Sequence, residues 1–202
     1  MTPPRESTAP YKNEKVAIAA IDQARSSQNW QALADALHAL SDARQEQSKR
    51  AKNGKRVQII ESLDEANAIK EAGRFLVRPP LVGRDASLMH HALKEKKIPS
   101  LFVCREPTTK LGLCPIVALG SGVIVRVQID ELENSDRPTC AWFDHALNEL
   151  GAHVVEESEK QSEDERQLDY LLAHLPGVAT YKPAYLAAIG CCKALKKQKE
   201  LR

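Results

Sequence analysis

Five short stretches hold the side chains that could do chemistry. Val82-Gly83-Arg84-Asp85 joins a predicted strand to a predicted helix, and a helix start offers unpaired N–H groups and partial positive charge to an anion. Arg84 would add a charged donor, which makes Gly83, Arg84 and Asp85 a candidate anion site. The stretch lacks the glycine-rich dinucleotide fingerprint and the Lys-Ser/Thr of a phosphate loop, so an Asp85 N-cap beside a surface arginine is the simpler account. His90 and His91 are adjacent; on a helix they diverge by about 100° and cannot share one metal. One packed and one solvated imidazole is expected. Cys104 ends a strand beside Arg105-Glu106, where a thiol of lowered pKa could serve as nucleophile or redox centre. No histidine follows at a suggestive spacing, and a core strand cysteine is the preferred reading. Cys191-Cys192 read the same way on an apolar helix face. Asp130, Glu131, Glu133 and Asp136 lie in a linker without the glycine of a calcium loop, and read as solvated. No catalytic residue, metal site or cofactor is assigned.

Charge is the stronger signal. The net charge is only +2, yet between Arg44 and Arg56 six basic residues face one acid. Between Ala72 and Val125 there are eight against three, and from Val127 to Tyr170 thirteen Asp and Glu face three basic residues. Such asymmetry points to a polyanion-facing surface, an internal acidic counterpart, or both. The candidate nucleic-acid contacts are Lys52, Lys55, Arg56, Arg74, Arg78, Arg84, Lys94, Lys97, Arg105 and Lys110, which could form one continuous face. Aromatics make up 4% of the chain, too few in the basic stretches for a single-strand stacking platform. Structured RNA or a duplex backbone suits better.

The elements that must position these residues follow from apolar spacing. The 202 residues, 43% of them apolar, can bury a core of Ala, Leu, Val and Ile without disulfide or metal. No run reaches the roughly 18 apolar residues of a membrane span. The start MTPPRESTAPYKNEK has no apolar stretch of the secretory kind, so a cytoplasmic chain is expected. Five cysteines without a C-x-x-C pair predict neither a disulfide framework nor a zinc site.

Residues 1–11 read as a disordered lead and 12–52 as a helical hairpin, with helices over 13–26 and 30–49. Residues 55–130 read as the α/β core. Strands are expected at 57–60, 75–82, 100–104, 116–119 and 123–129, the last two as a hairpin about Gly120-Ser121-Gly122. Ser62 and Glu65 form a capping box for a helix running to about Ala72. Pro79-Pro80 forces an edge, a bulge or a loop. Asp85 caps the helix that carries His90 and His91. Residues 131–138 are a linker and 139–202 a C-terminal helical segment packed on the core. It comprises a helix over 140–150, an edge strand at Val154-Val155, a helix before Pro176-Gly177, and a last helix burying Tyr185, Leu186 and Ile189.

Within this order, DEANAIKEAGRFLV, HALKEKKIPSLFV, TTKLG and IVALGSG (residues 62–122) resemble the kink-turn RNA-binding ribosomal protein family. Asp64-Glu65 stands where that family carries Asn-Glu, and Asn67 where it carries Lys. The resemblance implies an α/β fold and a structured RNA partner. The combined expectation is an α/β protein, a small mixed sheet of four to five strands with an N-terminal helical hairpin and C-terminal helices. It would be a non-enzymatic cytoplasmic binding protein for structured RNA. The alternatives are a protein–protein adaptor using the hairpin and acidic segment, or a small anion-binding domain or enzyme using residues 82–85.

Overall fold

The computed structural model describes residues 8–110, 113–119, 123–130 and 136–201. Helices α1 (Ala9–Ser26) and α2 (Trp30–Lys52) form the N-terminal pair. Asn29 caps α2, its side chain accepting from the Ala32 N–H at 3.1 Å. β1 (Val57–Ile60), α3 (Leu63–Asn67), β2 (Gly73–Val77), α4 (Gly83–Glu95) and β3 (Ser100–Arg105) follow, then β4 (Leu113–Leu119) and β5 (Ile124–Asp130). The chain ends in α5 (Cys140–Glu159), α6 (Asp164–His174) and α7 (Lys182–Glu200).

The five strands are ordered as in sequence; β1, β2 and β3 run parallel, then β4 and β5 antiparallel. The mixed sheet and its flanking helices match the expected α/β class. Strand alternation divides the core. Phe75, Val77, Cys104 and Val117 face α4 together with Ala86, Met89 and Leu93. Leu76, Leu101, Val103, Ile116 and Ala118 face the larger helical layer, which α1, α2, α5, α6 and α7 build. Two right-handed crossovers between neighbouring parallel strands must lie on one face, which is where α3 and α4 are found.

Several local expectations are corrected. Helix α1 starts at Ala9 with Pro10 buried, so the lead ends earlier than residue 11; a proline in the first turn needs no N–H donor there. Strand β2 stops at Val77, before the two prolines, because proline cannot donate to the ladder. Helix α3 is only five residues, although its Ser62–Glu65 capping box is present. Asp85 is not the N-cap of α4. It is the third helical residue and accepts from the Val82 N–H at 2.9 Å. Val154 and Val155 continue α5 rather than forming a strand. Phe143, Ala146, Leu150 and Val154 are all buried, and that helical spacing outweighs the β preference of valine. Leu186 is half exposed while Tyr185, Ala188, Ile189 and Cys192 turn inward, as one turn of helix dictates. The 120–122 turn and most of the linker, with Glu131 and Glu133, fall outside the described residues.

Candidate functional site

Parallel strands separate loops into two ends, and the basic residues divide between them. Lys55 and Arg56 lead into β1, and Lys96 and Lys97 lead into β3. Lys49 and Lys52 lie in the last turn of α2, whose end adjoins the same edge because Arg74 Nη1 donates to the Lys52 carbonyl at 3.1 Å. Helix α1 arrives there too, since Glu14 Oε1 accepts from Lys94 Nζ at 2.8 Å. A groove of about 420 Å³ then brings Lys12 and Lys15 of α1 beside Lys94 and Lys97. Lys12, Lys15, Lys49, Lys52, Lys55, Arg56, Lys96 and Lys97 are exposed.

Arg78, Arg84, Arg105 and Lys110 sit at the opposite, carboxyl end, after β2 and β3. A five-residue strand at roughly 3.3 Å per residue puts the two groups about 16 Å apart along the strands. The ten candidates are therefore not gathered on one face. Some are also engaged within the fold. Arg74 is 6% exposed and donates to the Lys52 and Gly54 carbonyls at 3.1 and 2.9 Å and to Asp144 at 3.4 Å. Lys52 Nζ lies 3.3 Å from the same Asp144. Arg78 pairs with Glu61 at 2.7 Å and Asp136 at 3.4 Å, and Arg105 donates to Thr108 at 2.9 Å. Asp136 and Asp144 thus supply an internal counterpart to part of the basic set, and Glu165 and Asp169 do the same for Arg25 at 2.8 and 2.9 Å.

The Gly83–Asp85 loop spends its helix start on its own side chain. The Asp85 carboxylate occupies the position an outside anion would seek, and its negative charge opposes a second anion there. Cys104 is fully buried and its thiol is pushed up to about 12 by burial, with Glu106 and Asp85 adding to the effect. It stays protonated and packs. Cys191 and Cys192 rise to about 11 and about 12, again through burial. His91 is exposed. His90 packs against Phe102, ring centroids 5.6 Å apart, and is lowered to about 4, first by burial and then by Lys94. Among the described residues no cluster of three or more His, Cys, Asp or Glu could hold a metal.

Next to His90 lies a buried ion network that spacing did not reveal. Arg44 is 8% exposed and Glu14 3%. Arg44 Nε donates to Glu14 Oε1 at 2.8 Å, and Arg44 Nη1 donates to Tyr185 Oη at 2.9 Å and to the Leu175 carbonyl at 3.2 Å. Gln47 Nε2 donates to Glu14 Oε2 at 2.9 Å. Burial alone would raise the Glu14 carboxyl. The Arg44 charge and hydrogen bonds from Lys94, Gln47 and Arg44 overrule it and hold the group at about 2. The sequence pattern counts Arg44 in the basic, polyanion-facing run to Arg56 and passes over Glu14. The available signal was positional: both fall on the apolar stripes of their helices.

A cleft opens on this network. β4 pairs with β5 as far as Leu119↔Ile124, but among the described residues its register with β3 is limited to Cys104↔Val117 and Arg105↔Ile116, with the Glu106 N–H donating to the Pro115 carbonyl beyond. Phe102 and Val103 of β3 are therefore unpaired with Leu119 and Ala118 of β4. A narrow space of about 50 Å³ there, with Val117 and Ala118 on its wall, leads along α4 and the α6–α7 loop into a wider one of about 180 Å³ bounded by α1, α2 and the start of β3.

No family model, curated protein or solved structure matches the chain, and the kink-turn resemblance rests on its sequence phrases alone.

Proposed function

We propose that this is a non-enzymatic cytoplasmic binding protein that docks structured RNA on the amino end of its parallel strands. The observation that carries the reading is the convergence of α1, α2 and α4 with the loops before β1 and β3, which exposes Lys12, Lys15, Lys49, Lys52, Lys55, Arg56, Lys96 and Lys97 at one end. Lysines in the last turns of α2 and α4 also offset helix dipoles, which explains Lys49, Lys52 and Lys94 without a partner. That account fails for Lys12, in the first turn of α1 where positive charge is unfavourable, and for Lys55 and Arg56 in a loop. Neutralising backbone phosphates is the chemistry such a surface suits. The phrases shared with the kink-turn family favour RNA over duplex DNA. All five cysteines are thiols, which suits a reducing compartment. Among the described residues no helix is long and apolar enough to cross a membrane.

The test compares a structured RNA with an equal-length duplex DNA across a salt series. Binding should favour RNA and weaken steeply with salt, and Lys55→Glu/Arg56→Glu/Lys97→Glu should flatten the logarithmic slope by about three. Arg84→Glu/Lys110→Glu, at the far end, should leave it unchanged. Absent or salt-independent binding at low ionic strength sinks the reading. One observation favours a protein partner instead: Val16 is 69% exposed on an alanine-lined groove of about 660 Å³ between α1 and α2. Loss of a co-purifying protein on Val16→Glu, with RNA binding absent, would select that adaptor role.

A further inference from the structure

The split between β3 and β4 leaves a cleft whose polar groups have unused hydrogen-bonding capacity. Arg44 lines the wide part. Its Nε and Nη1 are engaged, while Nη2 makes no hydrogen bond among the described residues. Ser100 Oγ is buried and without a partner, and Ser100 lines both parts of the cleft. Ser87 and His90 line both parts as well. His90 is neutral at pH 7, so its ring offers one donor and one acceptor, and neither nitrogen is bonded among the described residues. A buried polar group left without a partner costs about 1–3 kcal/mol. Ser100 Oγ carries that cost, while Arg44 Nη2 and the His90 ring nitrogens stay open to the cleft, and together they suit an occupant rich in acceptors.

Charge and size narrow that occupant. Glu14 stays ionised and is saturated by Arg44, Lys94 and Gln47. Arg44 and Lys94 against Glu14 leave one surplus positive charge at the wall. The wide part, about 180 Å³, compares with the ~150 Å³ cavity that takes a benzene ring, so a nucleotide is too large and a single tetrahedral anion with a short substituent fits. Arg44, Lys94, Ser87, Ser100 and His90 provide donors in excess of what the two oxygens of a carboxylate can accept. The narrow part carries the apolar side chains Phe102, Val117, Ala118 and Leu147 on its walls.

We propose that this cleft binds a phosphate group, as the free ion or as a small phosphomonoester, with Arg44 Nη2, Lys94, Ser87, Ser100 and His90 as donors. The apolar end receives the ester's organic substituent. The site goes beyond RNA docking and does not depend on it: the serines lie inside the cleft, away from the exposed lysines.

Calorimetric titration of the full chain with inorganic phosphate, ethyl phosphate and acetate, at matched chloride ionic strength, tests it. One phosphate or ester should bind per chain and raise the thermal midpoint, and acetate should bind at least about tenfold more weakly, having fewer oxygens to satisfy. Tighter binding of ethyl phosphate assigns the ester; tighter binding of phosphate assigns the free ion. Because Arg44 also closes the buried network, its substitution would not separate binding from folding. Ser87→Ala and Ser100→Ala carry the test, each expected to weaken binding about tenfold or more, with the unliganded thermal midpoint unchanged in Ser87→Ala and raised in Ser100→Ala, which removes an unpaired buried hydroxyl. No saturable heat with either phosphate compound up to about 50 mM, where even a millimolar Kd would saturate, overturns the proposal. So does undiminished affinity in the double serine variant.

Discussion

At the scale of single residues, the decisive groups are Glu14 and His90, whose depressed pKa values set how the fold responds to acid. His90 is lowered from 6.5 to about 4. The unfolded chain therefore takes up that proton first, and stability present above about pH 6.5 is lost as pH falls toward 4. Glu14 is lowered from 4.5 to about 2, so its contribution is present above about pH 4.5 and lost below it. Each shift corresponds to a contribution on the order of 3 kcal/mol. Urea midpoints measured from pH 7.5 to pH 3 should fall in two stages, and His90→Gln should remove the upper stage alone. A midpoint flat between pH 6.5 and 4.5 in the parent protein would contradict the buried setting of His90. Glu14→Gln leaves Arg44 buried against a neutral amide and should cost about 3–5 kcal/mol at pH 7, as removal of one partner of a buried pair does.

At the scale of elements, two helical glycines separate propensity from packing. Glycine inside a helix costs about 1 kcal/mol relative to alanine. Gly190 is exposed in α7 and a Cβ there would meet nothing within 4 Å, so Gly190→Ala should stabilise by about 1 kcal/mol. Gly151 lies buried in α5, where a Cβ would fall 2.1 Å from Tyr181 Cγ. The aromatic ring must move, and overpacking costs about 1–3 kcal/mol, so Gly151→Ala should be destabilising despite the better helix former. Chemical denaturation of the two variants checks both signs. The same contact explains how the loop after α6 is held over α5, and hence how Ala179 and Thr180 come to line the cleft.

At the scale of the whole molecule, the larger apolar cluster runs without a break from Ala17 and Leu37 of the N-terminal pair, through Leu76 and Ile116 of the sheet, to Tyr185 and Cys192 of α7. The buried Arg44 bridges the same parts, joining Glu14 of α1 to Tyr185 of α7. Segments laid out along the chain as hairpin, core and C-terminal helices thus share one interior. Trp30 reports on α2 and Trp142 on α5. Their fluorescence and the far-ultraviolet circular dichroism should therefore trace one coincident urea transition; separated midpoints would show that the helical pair melts independently.

Local periodicity by itself determined most of the element order, the α/β class and the β4–β5 hairpin, the Ser62–Glu65 capping box, and the packed roles of Cys104 and Cys192. Those features depend on residues a few positions apart, where spacing of 2 or 3.6 is informative. It misjudged Val154-Val155 and Leu186, where the phase of a longer helix fixes which side chains turn inward. Charge along the chain likewise indicated how many basic residues there are but not where they gather. The direction of parallel strands sends Lys55, Arg56 and Lys97 to one end and Arg84 and Lys110 to the other, and α1 adds Lys12 and Lys15 from far away in sequence. The Glu14–Arg44 pair and the β3–β4 split belong wholly to the tertiary structure. One needs two helices to bring residues 30 positions apart face to face, and the other needs β4 to leave its register with β3 beyond Cys104↔Val117. Burial, strand direction and register act between segments, and no window along the chain contains them.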